Sequence, residues 1–329
     1  MTYTYGPVSS WRYGRSLGID VITQPKKCTF NCTYCQLGPT KEHVVEPRDI
    51  QDEMPSPKDI VQEVAKTVSR LEMDSIDAVT FSGSGEPTLN PHLGSIVSGV
   101  REVVMESPII LLTNASLIPR PEVRANLSGF DIITAKLDAG DDRTFRLINH
   151  PAKGVSSLTE IVDSLKHLHR HVSGLLALEV MLLRGPRGMS NVEGTPRKML
   201  MERILEIRPE IVQVYTPWRP TANPGILPVS DAELRDFGND LGQHLSQDRI
   251  WVYGVHDARG RSVVWKRHRD LETEVVELLE RRPCRAIDVA ASLGMPVSSA
   301  VRTLRSLTEK SIVIRRLRDG HPFYETVHS

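Results

Sequence analysis

Short apolar or β-branched runs recur along the chain at 17–22, 78–81, 109–112, 132–137, 175–183 and 211–215. Each has the length of a buried strand and is far too short to cross a bilayer. Helical patterns lie between them. In 57–71 the apolar residues Ile60, Val61, Val64, Val68 and Leu71 share one face, with Ser56 placed as N-cap and Pro57 in the first turn. The stretches 158–168 and 196–207 read likewise. Strands and helices that alternate in this way predict an α/β fold with a parallel sheet covered by helices. Six such units predict a partial (βα)6 TIM-like barrel. In barrels of this kind the C-terminal ends of the strands carry the chemistry. A cysteine-rich loop follows the first strand, 83–86 the second, Thr113-Asn114 the third and Asp138 the fourth.

Near residue 270 the pattern changes. A helical stretch at 271–279 is followed by a second at 286–293, which Gly294 would end, and a third at 296–310. Two β-like runs then follow, 312–317 and 322–327, split by the Asp319-Gly320 turn signal. Three helices and a hairpin are the order of a small winged helix-turn-helix. The expected organisation is therefore a barrel domain over 1–265 and a winged module over 270–329, with the linker near 264–270.

Charge commits to no partner, because 41 Lys and Arg balance 41 Asp and Glu. The apolar fraction of 40% is ample for a core. The first sixteen residues, MTYTYGPVSSWRYGRS, lack the apolar stretch of a signal peptide. No run is long enough for a membrane span. Together with reduced thiols, this places the protein in the cytoplasm, with no membrane partner.

Three of the four cysteines, Cys28, Cys32 and Cys35, fall within eight residues; Cys284 stands far away. A disulfide framework would need more cysteines, even in number, in a short secreted chain. Thiolates spaced C-x3-C-x2-C on one loop suit zinc or an iron–sulfur cluster. Structural zinc wants a fourth ligand, for which His43 is the nearest candidate. A four-iron cluster on three cysteines would leave one iron open to bind a small molecule.

C-x3-C-x2-C with an aromatic residue, Tyr34, before the third cysteine resembles the radical SAM superfamily. The flanking segments agree: Gly18-Ile19-Asp20-Val21, Gln36-Leu37-Gly38, and Gly83-Ser84-Gly85-Glu86-Pro87-Thr88-Leu89. They resemble iron–sulfur oxidoreductases related to the wyosine base synthases of tRNA, over roughly residues 6 to 265. The resemblance implies a [4Fe-4S] cluster on Cys28, Cys32 and Cys35 and S-adenosyl-L-methionine (SAM) on its open iron. It implies reductive cleavage of SAM to a 5′-deoxyadenosyl radical that takes hydrogen from a substrate. A one-electron donor, ferredoxin or flavodoxin, is implied as partner. It also implies the partial barrel already read from the pattern. Wyosine synthases carry further cysteines for a second cluster. Here only Cys284 is spare, so their guanine chemistry does not simply transfer.

In this setting the remaining polar residues at strand ends become candidates for SAM. Gly83, Gly85 and Glu86 form a loop where missing side chains let backbone approach a ligand, although a tight turn would use the same residues. Tyr34 is expected beside the cluster, near the adenine. Thr113 and Asn114 either cap the turn after their strand or touch ligand. Lys136 and Asp138 lie two apart and so face one side of their strand. By resemblance they sit near the ribose and sulfonium, and a plain ion pair is the alternative. Glu179, the only charge in an apolar run, is expected to face the barrel interior or mouth. The backbone at Tyr215-Thr216-Pro217 would, by resemblance, meet the adenine edge.

Weaker candidates are His150 with Lys153, and Trp218-Arg219-Pro220. His167, His169 and His171 read as a polar helix end. From Arg281 to Arg318 nine basic residues face two acidic ones, an excess of seven, so the module invites nucleic acid, with peptide or protein as the competing partner. RNA modification is the favoured activity. Modification of a peptide or protein, and activation of a partner enzyme, are the alternatives. A reading of another class is a DNA-binding regulator that senses redox state through a cluster; it would need neither the 83–86 loop nor a barrel.

Overall fold

The structure, a computed structural model, describes the chain except residues 1, 23, 72–75, 105–106, 169–170, 173, 220, 222, 255–270, 294–296, 319–320 and 328–329, and except the side chains of 287, 291, 297–299, 302, 318 and 321. The expected linker at 264–270, the Asp319-Gly320 turn, the helix end at Gly294, Pro220, His169 and the side chains of Arg302 and Arg318 therefore lie outside the described residues.

One curled, open sheet of eight strands organises the barrel, and its strands run in sequence order. Strand β1 (Thr4–Ser10) pairs antiparallel with β2 (Gly14–Ile19). From β2 onward every pairing is parallel, through β3 (Ala78–Phe81), β4 (Ile109–Thr113), β5 (Ile132–Lys136), β6 (Leu175–Met181), β7 (Ile211–Tyr215) and β8 (Ile250–Val252). The six apolar runs are thus β2 to β7. They read as nearly unbroken apolar segments because both faces of a parallel sheet are covered. Two strands escape the pattern, β1 and the three-residue β8.

Helices α1 (Pro57–Val68), α2 (Leu93–Val104), α3 (Asp142–Asn149), α4 (Leu158–Lys166), α5 (Gly194–Ile207) and α6 (Asp231–Gly242) connect the strands. Their starts follow capping chemistry. Ser56 Oγ accepts from Asp59 N at 3.1 Å, and Ser157 with Glu160 and Ser230 with Glu233 form reciprocal capping boxes. One continuous apolar core joins helices and sheet, with Leu17, Ile19, Val79, Phe81, Leu111 and Ile133 at its centre.

Among the described residues, the sheet does not close through backbone pairing. The tip of the β1–β2 hairpin instead reaches across the open side. Trp11 lies edge-on to Tyr253 at 5.6 Å between ring centres, and Tyr13 lies edge-on to Trp251 at 6.4 Å. The Tyr13 hydroxyl pairs with Thr134 on β5 at 2.6 Å and accepts from Gln213 Nε2 on β7 at 2.7 Å. Side chains thus join the two edges.

The C-terminal residues form α7 (Leu271–Arg281), α8 (Ala286–Leu293), α9 (Val297–Glu309) and an antiparallel hairpin of β9 (Val313–Arg318) and β10 (His321–Thr326). Their core of Val275, Leu278, Leu279, Cys284, Val289 and Leu304 also takes in Val8 of β1. Ser9 N donates to Ser292 Oγ at 3.3 Å. One strand of the barrel sheet is therefore also a wall of this module. No described helix is long and apolar enough to cross a membrane.

Candidate active site

At the C-terminal ends of the strands lies a cavity of about 400 Å³. Cys28, Cys32, Cys35, Tyr34, the loop Gly83–Glu86, Thr113, Asn114, Lys136, Glu179 and Tyr215 all line it. The strand-end candidates thus converge on one space, with one exception. Asp138 is buried behind the wall, where its carboxylate accepts from Tyr34 Oη at 2.5 Å, Asn149 Nδ2 at 3.0 Å and Met181 N at 3.0 Å.

The cysteine loop leaves β2 and returns alongside α3: Thr33 N donates to Ile148 O at 2.9 Å and Asn31 N to Asn149 O at 3.1 Å. Every thiol accepts an N–H. Cys28 Sγ takes Asn114 Nδ2 at 3.5 Å and Phe30 N at 3.5 Å, Cys32 Sγ takes Asn149 Nδ2 at 3.5 Å, and Cys35 Sγ takes Lys26 Nζ at 3.2 Å. Burial, then the neighbouring Glu86, pushes the Cys28 thiol well up. Burial, then Cys35, pushes the Cys32 thiol up to about 12. Such buried thiols ionise only when a cationic centre replaces their protons.

In the loop after β3, Gly83 and Gly85 line the cavity and are also hemmed in by the protein itself. A Cβ on Gly85 would stand 1.8 Å from the carbonyl oxygen of Lys27, and one on Gly83, at φ +134°, would stand 2.3 Å from Asp20 Cγ. The missing side chains let the loop pair with the cysteine segment: Lys27 N donates to Ser84 O at 3.3 Å and Glu86 N to Lys27 O at 3.0 Å. Asp20, at the end of β2, accepts from Ser84 N at 3.0 Å and Ser84 Oγ at 2.6 Å. Lys27 is itself fully buried, with Nζ 3.0 Å from Glu53.

Glu86 is the hinge pin of the site. Its Oε1 accepts from Thr88 N at 3.1 Å, Thr88 Oγ1 at 2.7 Å and Thr113 Oγ1 at 2.6 Å, and its Oε2 accepts from Asn114 N at 2.7 Å. Burial raises its pKa even against these donors. Oε2 retains capacity for a further donor. Thr113 and Asn114 cap the turn after their strand and also line the cavity. Thr113 Oγ1 accepts from Ala115 N at 3.0 Å where the chain turns through a positive φ at Ala115.

On β5 and β6 the ion-pair alternative is realised, and it is larger than a pair. Lys136 Nζ lies 3.4 Å from Glu179 and 3.6 Å from Asp138, and donates to the Tyr215 hydroxyl. Tyr215 in turn donates to Glu179, and Arg12 Nη1 stands 2.8 Å from that carboxylate. Burial opposes the charge on Glu179, but Arg12, Lys136 and the Tyr215 hydroxyl outweigh it and hold the pKa down at about 2. Burial likewise opposes charge on Lys136, and Asp138 and Glu179 overcome it, so its pKa rises. Its ammonium also faces the rings of Tyr34 at 4.9 Å and Tyr215 at 4.4 Å.

Of the weaker candidates, Trp218 and Arg219 line the cavity, whereas the histidines do not. His43 is in register beside Cys28 on a two-residue strand pair, yet it is exposed and does not line the cavity. Among the described residues, no three His, Cys, Asp or Glu side chains are grouped as a single metal ion requires. His150 caps α3 in the left-handed region and is exposed, as is Lys153. His167 caps α4. The basic excess of the module is largely spent: Arg305 pairs with Glu309, Arg316 with Glu325, Arg285 with Asp288, Lys310 with Glu272 and Arg281 with Asp20. Arg12 escaped the reading of the sequence, while Asp20 entered it only within the Gly18–Val21 segment and Arg282 only within the basic count of the module.

Residues 24–186 match the model of the radical SAM superfamily. A UPF0026 protein of Synechocystis is 38% identical over 72% of this chain and 81% of its own length. The chain belongs to the UPF0026 family and, with it, to the radical SAM superfamily. A UPF0026 protein of Methanocaldococcus jannaschii extends the likeness to 98% of this chain and 96% of its own, at 28% identity. The crystal structure of Streptococcus suis SuiB bound to S-adenosylmethionine shares the fold at a TM-score of 0.50. It does so at 13% identity, over 73% of this chain and 50% of that one. As a radical SAM enzyme, the chain calls for a [4Fe-4S] cluster and SAM. The residues present fit both: three thiols with N–H donors already aimed at sulfur face a shared cavity, and Glu86 Oε2 offers an acceptor beside them.

Proposed function

We propose that this radical SAM enzyme transfers hydrogen from a substrate seated between the barrel and the C-terminal module. Support comes from one observation: the cysteine loop, the strand ends of the barrel and the end of α7 all line the same cavity. When bound, the cluster and SAM supply a one-electron cleavage of the sulfonium to methionine and a 5′-deoxyadenosyl radical that takes hydrogen from the substrate. An electron donor of the ferredoxin or flavodoxin type is required.

The chain's own residues hold and orient. Cys28, Cys32 and Cys35 would hold the cluster, with Lys26, Asn114 and Asn149 donating to their sulfurs. Glu86 Oε2 would receive the ammonium of the methionine end, while Thr88, Thr113 and the Asn114 N–H keep that carboxylate fixed. Tyr34 and the backbone of Tyr215-Thr216-Pro217 would flank the adenine. The network of Lys136, Glu179 and Arg12 walls the space beyond and keeps charge balanced in a buried setting.

An RNA substrate is favoured over a peptide or a partner enzyme. The likeness of the cysteine and Gly83–Glu86 segments to the wyosine group supports it, and so do the arginines where the module meets the cavity. We read the module as a winged helix-turn-helix, consistent with its three helices and hairpin. Incubating anaerobic holoprotein with SAM, reductant and separated RNA, peptide and small-molecule fractions of a cell extract tests the assignment. RNA-dependent formation of 5′-deoxyadenosine is expected, and stimulation by the peptide fraction alone would overturn the RNA reading.

A further inference from the structure

Five cationic side chains line the cavity: Arg12, Lys136, Arg219, Arg281 and Arg282. Three are matched by carboxylates. Lys136 and Arg12 share Glu179, and Arg281 pairs with Asp20. Arg285, just outside the cavity, is held by Asp288 at 3.0 Å and lies 5.4 Å from the Trp218 ring. Neither Arg219 nor Arg282 forms an ion pair among the described residues, although Asp288, already held by Arg285, acts on Arg219 from farther off. Arg219 Cζ lies 4.1 Å from the centre of the Trp218 ring, which also stacks on Tyr253. Nε and Nη2 of Arg282 are buried and unpartnered. Nε and Nη1 of Arg12 are buried too and make no aligned hydrogen bond, Glu179 notwithstanding.

Buried donors without acceptors cost free energy, and converging guanidinium groups repel one another. Burial and then the adjacent Arg282 pull the pKa of Arg219 down to about 9, and Arg12 adds to the effect. A bound anion would answer both costs at once. Arg282 enters the cavity from the end of α7, and Arg219 from the segment that follows β7.

We propose that Arg219 and Arg282, with Arg12 behind them, form a subsite for a phosphate group of the substrate. Two guanidinium groups without an ion-pair partner match the charge of a phosphate ester better than that of a carboxylate, and their forked donors suit its several oxygens. The phosphate can belong to a free nucleotide or to an RNA strand. Assigning the anion to the substrate rests on the enzyme reading above.

The test uses the purified full chain and calorimetric titration with inorganic pyrophosphate, a mixture of nucleoside 5′-monophosphates, and a short single-stranded RNA. Pyrophosphate is expected to bind, and Arg219→Gln and Arg282→Gln are each expected to weaken it by about tenfold or more, as loss of a charge-assisted contact does. Arg315→Gln, on the exposed hairpin, should leave it unchanged. Tighter binding of monophosphates assigns the subsite to a free nucleotide, and tighter binding of the strand assigns it to RNA. Protection of wild-type Arg219 and Arg282 from phenylglyoxal by pyrophosphate, read by mass spectrometry, needs no variant. Absence of pyrophosphate binding, or no protection of either arginine, overturns the proposal. SAM affinity of the wild type is measured alongside: SAM binding without phosphate binding removes the subsite alone, and phosphate binding without SAM binding removes the enzyme reading instead.

Discussion

Arg281, the last residue of α7, donates to the carboxylate of Asp20 at the end of β2, and the same oxygen accepts the N–H and hydroxyl of Ser84. One buried carboxylate therefore ties the C-terminal module to the loop that flanks the cysteines. Arg281 also donates to Thr2 O at 2.6 Å and lies 5.3 Å from the Tyr5 ring, so the tie reaches the first strand as well.

Removing that carboxylate takes the counter-ion from a largely buried guanidinium and the acceptor from the backbone N–H groups of Ser84 and Ile22. Asp20→Ala is expected to cost on the order of 3 kcal/mol in denaturant unfolding. It should also weaken SAM binding, because Ser84 loses its anchor. Arg281→Ala breaks the tie from the other side but leaves Asp20 its bonds to Ser84, so it should cost less and leave SAM affinity closer to wild type. Equal effects of the two variants on SAM affinity would contradict this division.

The glycines of the loop after β3 separate two kinds of demand. A methyl group on Gly85 would collide with the Lys27 carbonyl, whereas at Gly38, with φ +78°, it would meet nothing within 4 Å. Gly85→Ala should destabilise by several kcal/mol and lower cluster retention, since the loop must move off the cysteine segment. Gly38→Ala should cost only about 1 kcal/mol, from backbone strain alone. Melting curves and iron content of the two variants check this.

Acid should weaken the fold through Glu179. Its pKa is depressed in the folded chain to about 2, so its contribution is present above the unfolded value near 4.5 and is lost as pH falls from about 5 to 2. The loss is on the order of 3 kcal/mol for the apoprotein. Glu179→Gln should start less stable at neutral pH and show a shallower decline over that window. An unchanged acid limb in the variant would remove Glu179 from the account.

The barrel was legible because each parallel strand is buried on both faces and writes itself as a short apolar run. The convergence of Cys28, Gly85, Asn114 and Tyr215 followed from their places at strand ends. What escaped the sequence is long-range. The Thr4–Ser10 strand alternates Thr, Tyr and Gly-Pro without an apolar face. Its hairpin tip, Trp11 to Tyr13, acquires a role only when the curled sheet brings β5, β7 and β8 around it. The Asp20–Arg281 pair spans 261 positions. The basic excess of the module is spread in a way the count along the chain does not show: in space Arg305 and Arg316 are paired, and Arg281 and Arg282 turn toward the cavity.

The central claim is that Cys28, Cys32 and Cys35 hold a cluster that cleaves SAM, and quantifying 5′-deoxyadenosine after anaerobic reconstitution tests it most directly. Wild type with SAM and dithionite should carry about one four-iron cluster per chain and release 5′-deoxyadenosine. The triple Ala variant at those positions should do neither. Cys284→Ala should do both, because that thiol is buried in the module's own core. Cluster absorbance or SAM cleavage that persists in the triple variant, or a wild type that holds its cluster yet leaves SAM intact, would contradict the account.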